Sequence, residues 1–338
     1  MDKEIKLQPV RKTPMALLVD ASLKVQKTRV IADVRKAHLE RRRMMCPDTE
    51  ELLTRIRPVE EWLDSRLRSL MVEHPTYWWT SHVRGLGKLI IAKGVGVIEK
   101  FGKYYEVSDP LCPTNGIVED YVTLDGEGNI VELQGVWIPG IERLVTPSKQ
   151  RVYLGLTPDS KRVKGRMLSY SSDGKMMFWR IGSQLLRAGG KYYYFYVRYK
   201  EYLTERELAK GTKIIPTPKE RFCVNCFKEV VKKKAMYCPD CGGDLTLKKE
   251  PPGVLYAGHL DNMAKRRMIQ LFSDHLNVVW RQSLGLPVRD PYPVEHLGHS
   301  TIIRPEDMMD KLCDNKNCSI CQQINVVRKP RKEKVAVA

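Results

Sequence analysis

CVNCFKEVVKKKAMYCPDCGG, residues 223–243, decides how the rest of the chain is divided. Two Cys-x-x-Cys pairs, Cys223/Cys226 and Cys238/Cys241, stand eleven residues apart. Each pair folds as a knuckle that turns two thiolates toward one point. Two knuckles supply the closed tetrahedral S4 set preferred by structural Zn2+. Gly242-Gly243 after the second knuckle permits the tight turn that lets backbone N–H groups face the sulfurs. Four thiolates leave no open coordination position, so the spacing predicts a structural zinc ribbon over 215–250 rather than a catalytic metal. A redox Cys-x-x-Cys is disfavoured, because there are two pairs and no thioredoxin-like context.

The sequence on either side of this module is patterned as helix. On the C-terminal side, 251–287 carries one closing helix, LDNMAKRRMIQLFSDHLNVVWRQSL. Residues 288–338 are loop-rich and end in the basic tail RKPRKEK. A second cluster there, Cys313, Cys318 and Cys321, has three cysteines. His299, His296 and Cys112 are candidate fourth ligands, and three free thiols are the competing reading.

On the N-terminal side, residues 147–203 read as helical and basic. Between 151 and 199 there are ten Lys or Arg and two Asp. Basic residues alternate with Phe178, Trp179, Tyr192, Tyr193, Tyr194, Phe195, Tyr196 and Tyr199. Such a mixture either neutralises phosphates and stacks on bases, or buries its rings and leaves its charges as a solvated face. Burial is the expectation for at least half of the tyrosines. The loop Lys161, Arg162, Lys164, Arg166 has no apolar role and is the better candidate for backbone contact, with Lys175, Arg180 and Arg187 following it. Upstream, the acidic, Gly- and Pro-rich stretch 108–146 contains two β-type runs around Asp125–Asn129, which predicts a β-hairpin inserted between helices.

Residues 83–98, VRGLGKLIIAKGVGVI, fit the turn of a helix-hairpin-helix. Gly85 and Gly87 permit a tight turn, and N–H groups at the start of the following helix can hold a phosphate. Arg84, Lys88 and Lys93 would add charge. A purely structural corner explains the same residues. Before it, 22–75 reads as a helical hairpin or coiled-coil arm. Its first helix has a thin stripe of Leu23, Val30, Val34 and Ala37. A second helix is capped at Asp48 or Thr49, and Pro58 opens a third segment bearing Trp62, Leu63, Leu67 and Leu70. Residues 1–21 are predicted to be a loose arm. The fold class expected is mainly α with small β insertions, divided as 1–21, 22–75, 76–214, 215–250, 251–287 and 288–338.

Across its 338 residues the chain carries 58 Lys and Arg against 40 acidic residues, a net charge of +18. An excess of that size favours a polyanionic partner, DNA or structured RNA, over a membrane, since the charge is not gathered on one amphipathic helix. Cysteines at metal-ligand spacing suit a reducing compartment, so a cytoplasmic, nucleoid- or ribonucleoprotein-associated protein is expected.

The order of these pieces resembles the C-terminal part of the bridge-RNA-guided insertion-sequence transposases, the IS one-ten family. The stretches that carry the resemblance are His74-Pro75, Arg84–Val97, Tyr153–Pro158, Lys161–Arg166, Gly174–Arg187 and Leu260–Gln282, within residues 50–285. The resemblance implies a coiled-coil arm followed by a nucleic-acid-binding helical core, and a helical arm of this kind offers a surface for a homodimer. It also implies, for an active recombinase, a RuvC-like domain with four metal-binding carboxylates and a nucleophilic serine. Leu17-Leu18-Val19-Asp20 has the look of a first acidic strand, but nothing follows it to supply the other carboxylates of such a site. Ser160 is the one serine near the expected position, and it does not precede a glycine. The reading is therefore a non-catalytic nucleic-acid binder. The alternatives are a recombinase subunit using Ser160 with a RuvC-like partner in trans, and a structural component of a ribonucleoprotein.

Overall fold

The computed structural model describes residues 13–114, 116–218, 221–223, 225–226, 228–230, 237–247, 250–289 and 302–310. The fold is mainly α with small β insertions. Helices α1 (Pro14–Arg41) and α2 (Pro47–Glu73) form an antiparallel pair. The loose arm expected up to residue 21 is helical from Pro14 onward. Thr13 accepts a hydrogen bond from the Ala16 N–H and Pro14 pre-sets the first turn, so the helix starts a full two turns early. Met15, Ala16 and Val19 are buried here, which makes Leu17–Asp20 a helical turn and not a strand. The expected stripe lies elsewhere: Val30 and Val34 face solvent.

Pro58 does not open a new helix. It sits exposed inside α2, and the one backbone bond it removes is offset by Leu53, Leu63 and Leu67 packing inward and by the Arg29–Glu60 ion pair to α1. Trp62, expected on the apolar face, is 61% exposed.

After a short helix α3 (Tyr77–Thr80), α4 (Lys88–Glu99) runs through the protein with apolar residues on every side. Its glycines set the packing distance: a Cβ on Gly96 would lie 2.5 Å from the Val19 side chain of α1. Strands β1 (Lys103–Glu106), β2 (Val118–Leu124) and β3 (Ile130–Ile138) make an antiparallel sheet in the order β1-β3-β2. The predicted hairpin is β2–β3, closed by Asp125, whose carboxylate accepts from the N–H groups of Glu127 and Asn129. Helices α5 (Gly140–Arg143) and α6 (Pro147–Tyr153) lead to the loop 154–171, and then to α7 (Ser172–Ala188) and α8 (Lys191–Ala209). The last long helix, α9 (Ala257–Ser283), packs on α6, α7 and α8.

One core unites these helices around Trp79, Phe178, Tyr192 and Phe272. Most polar groups inside it are paired, Asn277 Oδ1 being buried without a partner among the described residues. Arg151 holds Asp274, and Gln150 donates to Ser273 while accepting from Asn277. His275 bonds Tyr192 Oη at 2.8 Å through Nδ1 and the Ile303 carbonyl at 2.8 Å through Nε2. Burial pushes its pKa down to about 4. This neutral imidazole fastens the 302–310 segment to the core, with Trp79 Nε1 donating to the Pro305 carbonyl.

A second polar corner joins α1, α2 and α4. Glu99 accepts from the Thr13 hydroxyl, and its carboxylate lies 3.8 Å from His74 Nε2. Burial lifts the Glu99 pKa to about 7 and lowers that of His74 to about 4.

Candidate metal centre and basic surface

The cysteine module is set off from the helices by a stem. Strand β4 (Lys213–Ile215) leads in and β8 (Val254–Tyr256) leads out, and the two pair in parallel. Between them β5 (Arg221–Cys223), β6 (Glu229–Val230) and β7 (Leu245–Leu247) form a three-stranded sheet in the order β6-β5-β7. The sheet end and two turns bring Cys223, Cys226, Cys238 and Cys241 together, with all four Sγ atoms within 4.8 Å of one another. Cys223 and Cys241 Sγ are 3.4 Å apart, and Cys226 and Cys238 Sγ are 3.6 Å apart. Tetrahedral coordination with metal–sulfur bonds of about 2.3 Å places neighbouring sulfurs about 3.8 Å apart, so the four thiols fit a metal ion.

The local backbone supports this use. The Cys226 N–H points at Cys223 Sγ at 3.5 Å and lowers that thiol's pKa to about 6. Gly242 adopts φ +68°, and Cys238 N–H to Gly243 O closes the second knuckle, as the Gly-Gly pair predicts. Cys223 and Cys238 are buried, and Val230 and Leu245 complete a small satellite core. The second cysteine cluster and both histidine candidates, His296 and His299, lie outside the described residues. Cys112, the remaining candidate, sits in the loop after β1 with its thiol directed to the Tyr105 carbonyl.

The predicted basic residues fall into two groups. Lys161, Arg162, Lys164 and Arg166 are all exposed on the loop before α7, and none forms an ion pair among the described residues. Lys175 pins that loop, donating to the Ser160 carbonyl at 2.9 Å and lying 4.6 Å from the Tyr170 ring centre. Arg180 and Arg187 project from one face of α7, two turns apart, and both are exposed. Sequence reasoning missed the neighbour that extends this face. Lys265 of α9 lies 4.8 Å over the Trp179 ring and donates to Ser183 Oγ, and its pKa is lowered by burial and then by nearby Arg187. Nothing in the linear pattern of α9 separates Lys265 from the adjoining Arg266 and Arg267.

The glycine turn divides differently. Gly85 has φ +93°, and a Cβ there would stand 2.4 Å from that of Ala188, so this residue is a packing corner against α7. Lys93, expected to add charge at the turn, is instead 4% exposed and paired with Asp64 at 2.9 Å, inside the α2–α4 contact. A lysine placed on an apolar helix that is covered on all sides has to find an internal counter-ion. Arg84 keeps its side chain exposed, but its N–H is taken by the Asp310 carboxylate, which also accepts from the Lys191 N–H at the start of α8. Gly87 and Lys88 remain exposed at the start of α4, where no side chain caps the helix.

Ser160 is 8% exposed, and its hydroxyl pairs with that of Thr157 at 2.8 Å. No histidine or carboxylate contacts its Oγ among the described residues. Of the aromatics, Phe178, Tyr192 and Tyr196 are buried, Trp179, Tyr193, Phe195 and Tyr199 are half-buried against the core, and Tyr194 is exposed. No helix among the described residues is long and apolar enough to cross a membrane. No family model, curated protein or solved structure matches the chain.

Proposed function

We propose that the protein binds nucleic acid through its phosphate backbone, without a catalytic step of its own, and that zinc in the four-cysteine centre holds the ribbon together. The observation that carries this reading is the loop Lys161–Arg166. Four cations stand in solvent on one short segment with no carboxylate paired to them among the described residues, on a chain of net charge +18. Solvated lysines and arginines left unpaired in this way gain most from a ligand that releases counterions when bound. Arg180, Arg187 and Lys265 extend the same chemistry along α7 and α9. The uncapped start of α4 at Gly87–Lys88 adds N–H donors suited to one phosphate. The transposase-like core suggested by sequence agrees with a binder of this kind, and the pairing of the Ser160 hydroxyl with Thr157 gives no support to a nucleophile at that position.

The test is binding of labelled DNA and RNA to the zinc-loaded chain by fluorescence anisotropy across a salt series. Affinity is expected to fall steeply with salt, and reversal of Lys161, Arg162, Lys164 and Arg166 to Glu to flatten that dependence by about three to four phosphate contacts, each worth roughly 0.9 in the log–log slope on duplex DNA. A salt-independent affinity, or a loop variant that binds like the parent, removes the reading. One bound zinc per chain by elemental analysis is expected for the ribbon.

A further inference from the structure

An open groove of about 730 Å3, which no linear motif announces, is lined in part by Ser169 of the loop before α7. It is formed where the inserted sheet meets α5 and α6. Phe101 and Tyr153 make its floor, with ring centres 4.5 Å apart. Tyr105 of β1 stands on one side, and Val152 and Leu111, 50% and 75% exposed, form the lip. Its size is that of sites that take small organic groups, about 300–1,000 Å3.

Two features narrow the occupant. First, the groove's cations are arranged around rings. The Arg143 guanidinium lies 4.1 Å from the Phe101 ring centre and 5.7 Å from that of Tyr105, and it is tethered to the Phe101 carbonyl. Lys149 is exposed at the edge, and one carboxylate, Glu142, lines the wall. Second, the loop that carries the basic residues also contributes to the groove. Ser169, three residues beyond Arg166, is part of its lining. A flat aromatic ring with a phosphate attached a few ångströms away matches both features: the ring lies in the groove against Tyr105 and Tyr153, beside the Arg143–Phe101 stack, and the chain of phosphates leads toward Lys161–Arg166. A fully stacked duplex has no ring to offer the groove, whereas an unpaired nucleotide does.

We propose that the groove between β1 and α6 receives an unstacked base of a nucleic-acid strand whose backbone lies on the Lys161–Arg166 loop. The inference rests on the nucleic-acid-binding reading above and adds that the preferred ligand carries unpaired nucleotides. It makes the inserted sheet part of the binding surface, because Tyr105 and the Leu111 segment belong to that insertion.

The experiment compares the zinc-loaded full chain with Val152→Glu, Leu111→Glu and Tyr105→Ala variants. The probes are one labelled single strand and a fully paired blunt duplex of the same sequence, as DNA and as RNA. The first two substitutions sit at exposed positions, and circular dichroism checks that all three variants keep the parent's fold. The variants are expected to lose about fivefold or more of their affinity for the single strand, the effect of one lost base stack, with duplex affinity unchanged. A strand carrying 5-iodouracil is expected to photocrosslink to Tyr105, Phe101 or Tyr153. Parent-like binding of the single strand by all three variants overturns the inference, as does equal loss on single strand and duplex. In either case the loop-reversal result still decides the broader reading by itself. A parent chain that binds neither probe at low salt removes both.

Discussion

Replacing Glu99 by Gln tests the electrostatics of the α1–α2–α4 corner. In the fold its carboxyl titrates near 7 instead of at the ordinary 4.5, chiefly because burial penalises the charged form. A group whose folded pKa is raised stabilises the fold fully below its unfolded pKa and loses that contribution as pH rises through the folded value. The gap between 4.5 and about 7 corresponds to about 3 kcal/mol, so the parent chain is penalised by up to that amount at pH 8 relative to pH 4.5. Gln cannot ionise, and its carbonyl can still accept from Thr13. Glu99→Gln is therefore expected to be neutral or mildly destabilising at pH 5 and stabilising by about 1–3 kcal/mol at pH 8. His74 works in the opposite sense. Its folded pKa, lowered by burial to about 4 from 6.5, adds stability above pH 6.5 that is lost as pH falls toward 4. Taking variant minus parent cancels this background to the extent that His74 titrates alike in both. Urea unfolding of parent and variant at pH 5, 6, 7 and 8 measures the difference. A variant equally destabilised at every pH, or a difference that moves against it as pH rises, refutes the reasoning.

Zinc removal by a strong chelator, or Cys238→Ser, is expected to unfold the ribbon while leaving the helical circular dichroism nearly intact, because the metal supplies that module's folding energy; loss of both together contradicts a separable module. Asp274→Ala leaves the half-buried Arg151 guanidinium without its carboxylate and is expected to cost about 1–3 kcal/mol in chemical denaturation, against little change on substitution of the exposed Glu51. Gly85→Ala meets both a positive φ and the Ala188 methyl, so a loss of about 1–3 kcal/mol is expected; Gly87→Ala, with open space around its Cβ position, is expected to change stability by under about 1 kcal/mol.

The parts of the fold legible in sequence were those whose signals are local. Cys-x-x-Cys spacing placed the four-cysteine cluster, the Asp125–Asn129 turn placed the β2–β3 hairpin, and helical periodicity placed α9. Features set by distant partners were not legible. Lys93 reads as a surface cation until Asp64, on another helix, is brought beside it. Leu17–Asp20 suits a strand as well as a helix until Val19 meets Gly96. The base groove draws on residues from β1, α5, α6 and the loop after α6, so no window of sequence contains it. The basic loop was legible because exposure there requires no partner.

The parallel ladder of β4 and β8 has an architectural corollary. The chain departs from the α8–α9 pair and returns to it within three paired residues, reinforced by Lys213 N–H to Gly253 O and Gly258 N–H to Thr217 Oγ1. Among the described residues, those between the two strands add nothing to the central core cluster, and the segment is further tied to α9 by the Glu250 carboxylate at His259 Nδ1, 2.8 Å. A segment held in this way can be exchanged, lengthened or lost over evolutionary time while its host keeps folding.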